Sequence, residues 1–158
     1  MATRPDNELL KTAFGFLMLA VVVVILWLAS GCAPKREALA VYHETSVAAQ
    51  QIAANLEAKD KGGKVYLVGD SASMAPTILP HDYVVAIPTP FADLQIGMVC
   101  NYKADWNNYP STCHRIVAKW PDGSWLMEGD SEKNTSETHW SMRADNYIDH
   151  VISDYRFP

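Results

Sequence analysis

The feature that most constrains this chain is a run of 23 residues without a formal charge, Thr12–Pro34, TAFGFLMLAVVVVILWLASGCAP. Its centre, Phe14–Ala29, is almost wholly apolar. A helix needs about 20 such residues to cross a bilayer, whereas the apolar part of a cleaved secretory signal spans about 7–15. The 158-residue chain is also too short to cover such a helix on all sides. We therefore predict a transmembrane anchor over residues 12–33, preceded by a short tail over residues 1–11.

The end of this run contains a second way to attach the chain to a membrane. Leu28–Cys32, LASGC, resembles a lipobox, in which the cysteine is lipidated after the bond before it is cleaved. Ala29 stands where that motif usually has leucine. A lipidated Cys32 and a spanning helix both anchor the domain to a lipid bilayer. Because basic residues flank the run on both sides, the positive-inside rule barely separates the two orientations. We expect a single-pass protein of the inner cell membrane, with the following domain outside the cytoplasm.

The remainder of the chain divides at Lys61–Lys64, KGGK. Before it, Lys35–Asp60 contains no Gly or Pro and repeats weakly apolar residues at helical spacing, which predicts a juxtamembrane helical linker over residues 34–62. After it, residues 63–158 contain short apolar runs separated by Pro, Gly, Asp and Asn. Five runs predict strands: KVYLVGD, DYVVAI, IGMVCNY, CHRIVAKW and GSWLMEG, with a turn at Pro121–Gly123. The predicted fold class is mainly β, a small domain preceded by two helices.

Charge and cysteine content exclude some functions and leave one question open. The net charge is −5 and the longest basic cluster is Lys35-Arg36, so we expect no binding to nucleic acid. Cys100 and Cys113 fall on consecutive predicted strands, where they form either a disulfide across a hairpin or two buried thiols. Neither cysteine has metal-site spacing and the five histidines are scattered, so we expect no metal and no cofactor.

A short segment after the first predicted strand carries two serines, Gly69–Ile78, GDSASMAPTI. Ser71 and Ser73 are two residues apart, so on an extended backbone their side chains lie on the same side. A serine hydroxyl is a poor nucleophile unless a base takes its proton and donors stabilise the oxyanion. One serine can attack a carbonyl carbon while the other donates to its oxygen; the other interpretation of these residues is a solvated serine-rich turn.

Five segments of the chain, in order, resemble the sequence boxes of type I signal peptidases. SMAPTI resembles the Ser-Met-x-Pro-Thr-Leu box, HDYVVA and IGMVC resemble its two Gly-Asp-x-Val strands, HRIV resembles the box with the catalytic base, and EGDSEKNTSE resembles the closing Gly-Asp-Asn box. The resemblance covers roughly Val65–Glu137 together with the anchor. It implies a signal-peptidase-like β domain, in the variant whose base is histidine.

The resemblance implies a role for each matching residue. Ser73 falls on the nucleophile, and Ser71 falls where several members place a hydroxyl of the oxyanion hole. His114 falls on the base, where bacterial members usually carry lysine. A histidine base works better with a carboxylate partner, for which Asp130 is the first candidate and Glu137 the second.

The implied function is that of a membrane-anchored serine endopeptidase that cleaves signal or leader peptides from exported precursor polypeptides. Some positions depart from the boxes: His81 replaces glycine, Met98 replaces aspartate, and Ser131 replaces asparagine. Two alternatives therefore stay open. One is a catalytically inactive, anchored or lipoprotein-type β domain that binds peptides. The other is a conjugation-type or pilin-type processing protease.

Overall fold

The structure, a computed structural model, describes residues 36–104, 111–131 and 140–157. The elements are β1 (Ala40–His43), α1 (Val47–Lys61), β2 (Lys64–Leu67), β3 (Tyr83–Ile87), a 3₁₀ turn (Phe91–Asp93), β4 (Val99–Tyr102), β5 (Thr112–Lys119), β6 (Trp125–Glu128), β7 (Trp140–Met142) and β8 (Tyr147–Arg156). The predicted tail and anchor, Cys32 and Glu137 lie outside the described residues. Within the described ranges, no helix has the length and apolar character needed to cross a membrane.

The strand β8, ten residues long, is an interior strand of one sheet and pairs with three neighbours. One edge of β8 pairs with β3, while its other edge pairs with β4 along the first half and with β1 along the second. The sheet order is β2-β3-β8-β4-β5-β6-β7, and β1 supplies its one parallel pairing among the described strands. The mainly β prediction is confirmed, as are the five predicted strands, which correspond to β2–β6.

The predicted linker helix is shorter than expected and packs on the sheet. It was expected over residues 34–62 but begins at Val47, because the Ser46 side chain accepts a hydrogen bond from the Ala49 N–H at 3.1 Å and so caps the first turn. The residues before it form β1. Ala54 and Ala58 pack against Val85 and Tyr155 of the sheet. The helix is therefore part of the β domain's packing.

Neighbouring residues of β5 face opposite sides of the sheet, as strand geometry requires. Cys113 packs against an apolar cluster that contains Met74 and Ile78, whereas Ile116 belongs to a second cluster with Cys100. Odd-numbered residues at the start of β5 thus face the first cluster and even-numbered residues face the second.

This alternation decides the state of the cysteines. The predicted antiparallel hairpin forms between β4 and β5, but its register pairs Cys100 with His114 and Cys113 with Asn101. The thiols therefore lie on opposite faces and are both free, so the disulfide alternative is wrong and the two-thiol alternative holds. Burial raises the pKa of Cys113 to about 12 and that of Cys100 still further, which leaves both as unreactive packing residues.

Candidate functional site

The serine segment, Gly69–Ile78, connects β2 to β3 through a series of tight turns. Ser71 is exposed and Ser73 is half-buried. The Ser71 hydroxyl oxygen accepts a hydrogen bond from the Ser73 backbone N–H at 3.3 Å. Met74 and Ile78 are buried in the apolar cluster beneath the segment. The segment is thus anchored by its apolar side chains, while Ser71 is exposed to solvent and Ser73 is partly accessible.

Two hydrogen bonds attach the serine segment to the chain that follows β6. The Ser131 N–H donates to the Ser73 carbonyl oxygen at 3.0 Å. The Thr77 hydroxyl donates to Asp130 Oδ2 at 2.5 Å. The first and last of the family-like boxes therefore meet in space, although more than fifty residues separate them in the sequence.

The HRIV box contacts Asp130 through the side chain of Arg115. Its guanidinium donates to both oxygens of Asp130, with Nε–Oδ1 at 2.8 Å and Nη2–Oδ2 at 2.5 Å. Its Nη1 donates to the carbonyl oxygens of Gly97 at 2.5 Å and Glu37 at 3.0 Å. The Arg115 and Asp130 side chains are only 4% and 3% exposed. A planar, bidentate pair of this kind fixes the relative orientation of the two side chains and also neutralises their charges.

Asp130 is an ionised structural centre in this arrangement. Burial acts to raise its pKa, but hydrogen bonds from Arg115 and Thr77, with the charge of Arg115, outweigh burial and hold the pKa of Asp130 below its ordinary value. Asp130 was the first candidate for the carboxylate partner of His114. Its oxygens are instead bonded to Arg115 and Thr77, because alternation along β5 turns Arg115, and not His114, toward it.

His114 is held by a different set of contacts. Its Nδ1 lies 2.9 Å from the Tyr102 hydroxyl, and its ring stacks on Trp140 with centroids 4.2 Å apart and an interplanar angle of 8°. The residue is 2% exposed. Burial lowers the pKa of His114 to about 4, against the opposing charge of Asp130. The imidazole is therefore neutral at neutral pH, and a pKa this low makes it a weak base.

The predicted hydrogen bond between His114 and Ser73 is not formed among the described residues. The same alternation that gives Asp130 to Arg115 directs the His114 ring toward Tyr102 and Trp140. The roles of nucleophile, base and oxyanion donor assigned to Ser73, His114 and Ser71 remain predictions.

The departure at His81 has a visible structural consequence. His81 has φ +69°, in the left-handed region that favours glycine, which is the residue that the family-like box has at this position. Its Nε2 lies 3.4 Å from Asp70 Oδ1, and both side chains are largely exposed. The chain thus keeps the backbone shape of the box while carrying a less suitable residue.

Two residues that contact the site were missed by the sequence reasoning. Tyr102, the Nδ1 partner of His114, lies on the predicted strand IGMVCNY, two residues beyond the IGMVC box. Arg156 donates to carbonyl oxygens of the serine segment from the end of β8, beyond the last box, so no sequence signal pointed to it. Thr77, in contrast, belongs to the first box and its contact could have been inferred from there.

No metal site emerges from the part of the chain that the structure describes, in which His, Cys, Asp and Glu side chains form no group of three able to hold an ion. Comparison of the chain with protein-family models, with curated proteins and with solved structures found no match.

Proposed function

We propose that this chain is a membrane-anchored serine endopeptidase that cleaves signal or leader peptides from exported precursors, with Ser73 as nucleophile. The observation that carries the proposal is the convergence of the separate boxes on one point. Ser131 bonds Ser73, Thr77 bonds Asp130, and Arg115 joins Asp130 to Gly97. Contact between the first, fourth and last of the five segments is what the resemblance leads us to expect.

The serine segment supplies the parts that acyl transfer needs. The hydroxyl oxygen of Ser73 attacks the scissile carbonyl carbon, the amine leaves with a proton, and water then hydrolyses the acyl-enzyme. The Ser73 N–H and the Ser71 hydroxyl are in contact at 3.3 Å. This long hydrogen bond is readily exchanged for bonds to a substrate carbonyl oxygen, so the two groups form an oxyanion hole.

His114 serves as the base in this proposal, which requires its ring to leave the second apolar cluster, because it contacts Tyr102 and Trp140 on the side of β5 opposite the serine segment. When Nδ1–H donates to the Tyr102 hydroxyl oxygen, Nε2 carries the lone pair that can accept the proton of Ser73. Tyr102 would then fix the tautomer and the ring orientation, as a carboxylate does in other serine enzymes.

An extended peptide is the substrate that the fold favours. Strand β2 lies at one end of the sheet order, pairs with β3 on one side, and leads into the serine segment. A peptide added along its outer edge would carry a carbonyl group toward Ser73. The predicted anchor would raise the local concentration of precursors that are themselves held by an apolar segment.

A fluorophosphonate probe tests the proposal on the full-length chain in detergent. We expect covalent labelling of the wild type, none of Ser73→Ala, and full labelling of Ser141→Ala, an exposed serine on β7 that serves as the matched control. Cleavage of an exported precursor by the wild type, and not by Ser73→Ala, would extend the result to the substrate class. A pilin-type precursor cut in preference would favour the conjugation-type protease.

The contacts of His114 favour a second candidate, a catalytically inactive β domain that binds peptides. Its stack on Trp140, its bond to Tyr102 and its burial are those of a histidine that fills a core. In this case the chain binds an extended peptide, the probe labels neither the wild type nor Ser73→Ala, and no precursor is cut between about pH 5 and about pH 9, a range around the ordinary histidine pKa.

A further inference from the structure

Arg156 links the C-terminal end of β8 to the serine segment. Its Nη2 donates to the carbonyl oxygen of Pro76 at 3.1 Å and also to that of Thr77. These two residues lie three and four positions after Ser73 in the same connection. A charge-assisted bond to a backbone carbonyl restrains that backbone more strongly than a neutral one does.

The other side of the same guanidinium is held by two acidic residues. Nε lies 2.6 Å from Asp154 Oδ2 and 3.3 Å from Asp82 Oδ2. Asp82 also accepts a hydrogen bond from the Leu79 N–H at 2.8 Å, so it fixes the turn that ends the serine connection. Arg156 and Asp82 thus restrain the connection at neighbouring points.

The charges in this cluster do not balance when both acids are ionised. Asp154 is 0% exposed and Asp82 is 4% exposed, yet they share the one guanidinium of Arg156. Asp154 Oδ1 is buried and has no hydrogen-bond donor within the described chain. A proton held between the two acids would remove one negative charge and supply a donor to the pair.

The surroundings of Asp154 support single-proton binding. Burial raises the pKa of Asp154 to about 7; the hydrogen bond from Arg156 opposes this change, and the charge of Asp82 and a hydrogen bond with it add to it. The charge of Asp154 also contributes to the raised pKa of the Cys113 thiol on β5. The residues that pair with Asp154 on β1 and β3 are Val41 and Val84. Arg36, Glu37 and Arg115 line the cleft beside Arg156.

We propose that Arg156 is a positioning residue for the serine segment, and that the Asp82–Asp154 pair controls how firmly it holds that segment by binding and releasing one proton. With the proton bound, Arg156 neutralises the remaining carboxylate and the turn is tight. When the proton leaves to solvent, two buried carboxylates repel each other, Asp82 shifts with its turn, and the segment loosens. The consequence for catalysis rests on the proposed function, but the effect on the segment does not.

Hydrogen exchange of residues 71–80 in the full-length chain tests this inference, because the Ala75, Ile78 and Leu79 amides are hydrogen-bonded within the turn. Rates are compared at about pH 6 and about pH 8, on either side of the Asp154 pKa, after correction for intrinsic exchange. We expect the wild-type segment to exchange about threefold faster at the higher pH and Asp154→Asn to show no such change. Arg156→Gln should speed exchange about fivefold at both.

Arg143→Gln is the matched control, since Arg143 is half-exposed and pairs with Asp145 at the surface. In this variant residues 71–80 should exchange at wild-type rates. If Arg156→Gln does not fold, Arg156→Lys takes its place. Lysine keeps the positive charge but lacks the planar guanidinium, which can bond the carboxylates and the backbone carbonyl oxygens at the same time. Equal exchange in the Arg156 variants and Arg143→Gln, or a pH effect that persists in Asp154→Asn, overturns the inference. Probe labelling of Ser73, measured on the same samples, bears only on the proposed function.

Discussion

The guanidinium of Arg115 holds both carboxylate oxygens of Asp130, at 2.8 and 2.5 Å, in a site where both side chains are almost fully buried. Through Thr77 the same carboxylate reaches the serine segment, and through Gly97 the same guanidinium reaches the turn before β4. One ion pair thus organises the parts of the chain that the resemblance singled out.

Breaking this pair from one side should be costly. We expect Arg115→Ala to lower the free energy of unfolding by about 3–5 kcal/mol, since Asp130 would be left as a buried, uncompensated charge. Denaturant unfolding of the full-length chain measures the effect. The control is Arg143→Ala, whose surface pair with Asp145 at 3.3 Å should contribute less than about 1 kcal/mol. Equal losses in the two variants would show that the Arg115–Asp130 pair does not support the fold.

The backbone at position 81 predicts a stabilising substitution. His81→Gly should raise the free energy of unfolding by up to about 1 kcal/mol, because glycine adopts φ +69° without the steric cost that a side chain incurs. Thermal unfolding gives the comparison with His43→Gly, an exposed histidine on the extended strand β1, where glycine should destabilise. A His81→Gly variant no more stable than His43→Gly would contradict the strain argument.

Because His114 is buried, we expect the free energy of unfolding to decrease as the pH falls into the acid range. Its folded-state pKa is lowered to about 4, so the unfolded chain binds a proton that the folded chain refuses as pH falls from the ordinary histidine value. Stability from this group is complete above about pH 6.5 and decreases toward pH 4, by up to about 3 kcal/mol. We expect His114→Gln to lose less stability than the wild type between pH 7 and pH 4.5. Parallel curves for the two proteins would rule this out.

Asp154 should change the free energy of unfolding with pH in the opposite direction. Its folded-state pKa is raised to about 7 from an ordinary value of 3.8, so the folded chain keeps a proton that the unfolded chain has released. Its contribution therefore decreases as pH rises from about 4 to about 7 and is flat above that range. Asp154→Asn should become more stable relative to the wild type across this window, measured by thermal unfolding. A stability difference that does not vary with pH would contradict the assignment.

Period-two apolar patterns were sufficient to predict β2–β6, but not β8. That strand carries Asp149, His150, Ser153 and Asp154, all buried, so its pattern is that of an exposed segment. Each of these polar side chains has a partner elsewhere in the fold, such as Asn101 for Asp149 and Glu37 for His150. Tertiary hydrogen bonds therefore override the local signal, and these cannot be inferred from one strand.

In the candidate site, too, the sequence predicted only part of what the structure contains. The order of the boxes predicted which segments come together, and they do so around Asp130. It did not indicate which of two neighbours, His114 or Arg115, would face that carboxylate, because this depends on the register of β4 with β5. A one-residue difference in that register also separates Cys100 from Cys113. The early helix boundary could have been corrected from Ser46, a favourable N-cap before an alanine-rich run.

The central claim is that Ser73 is an activated nucleophile, and mapping the site of fluorophosphonate attachment tests it most directly. We expect mass spectrometry of the labelled full-length chain to place the adduct on Ser73, with a labelling rate that His114→Gln reduces about a hundredfold or more. An unmodified Ser73 peptide, or an adduct that forms equally in Ser73→Ala, would contradict the account.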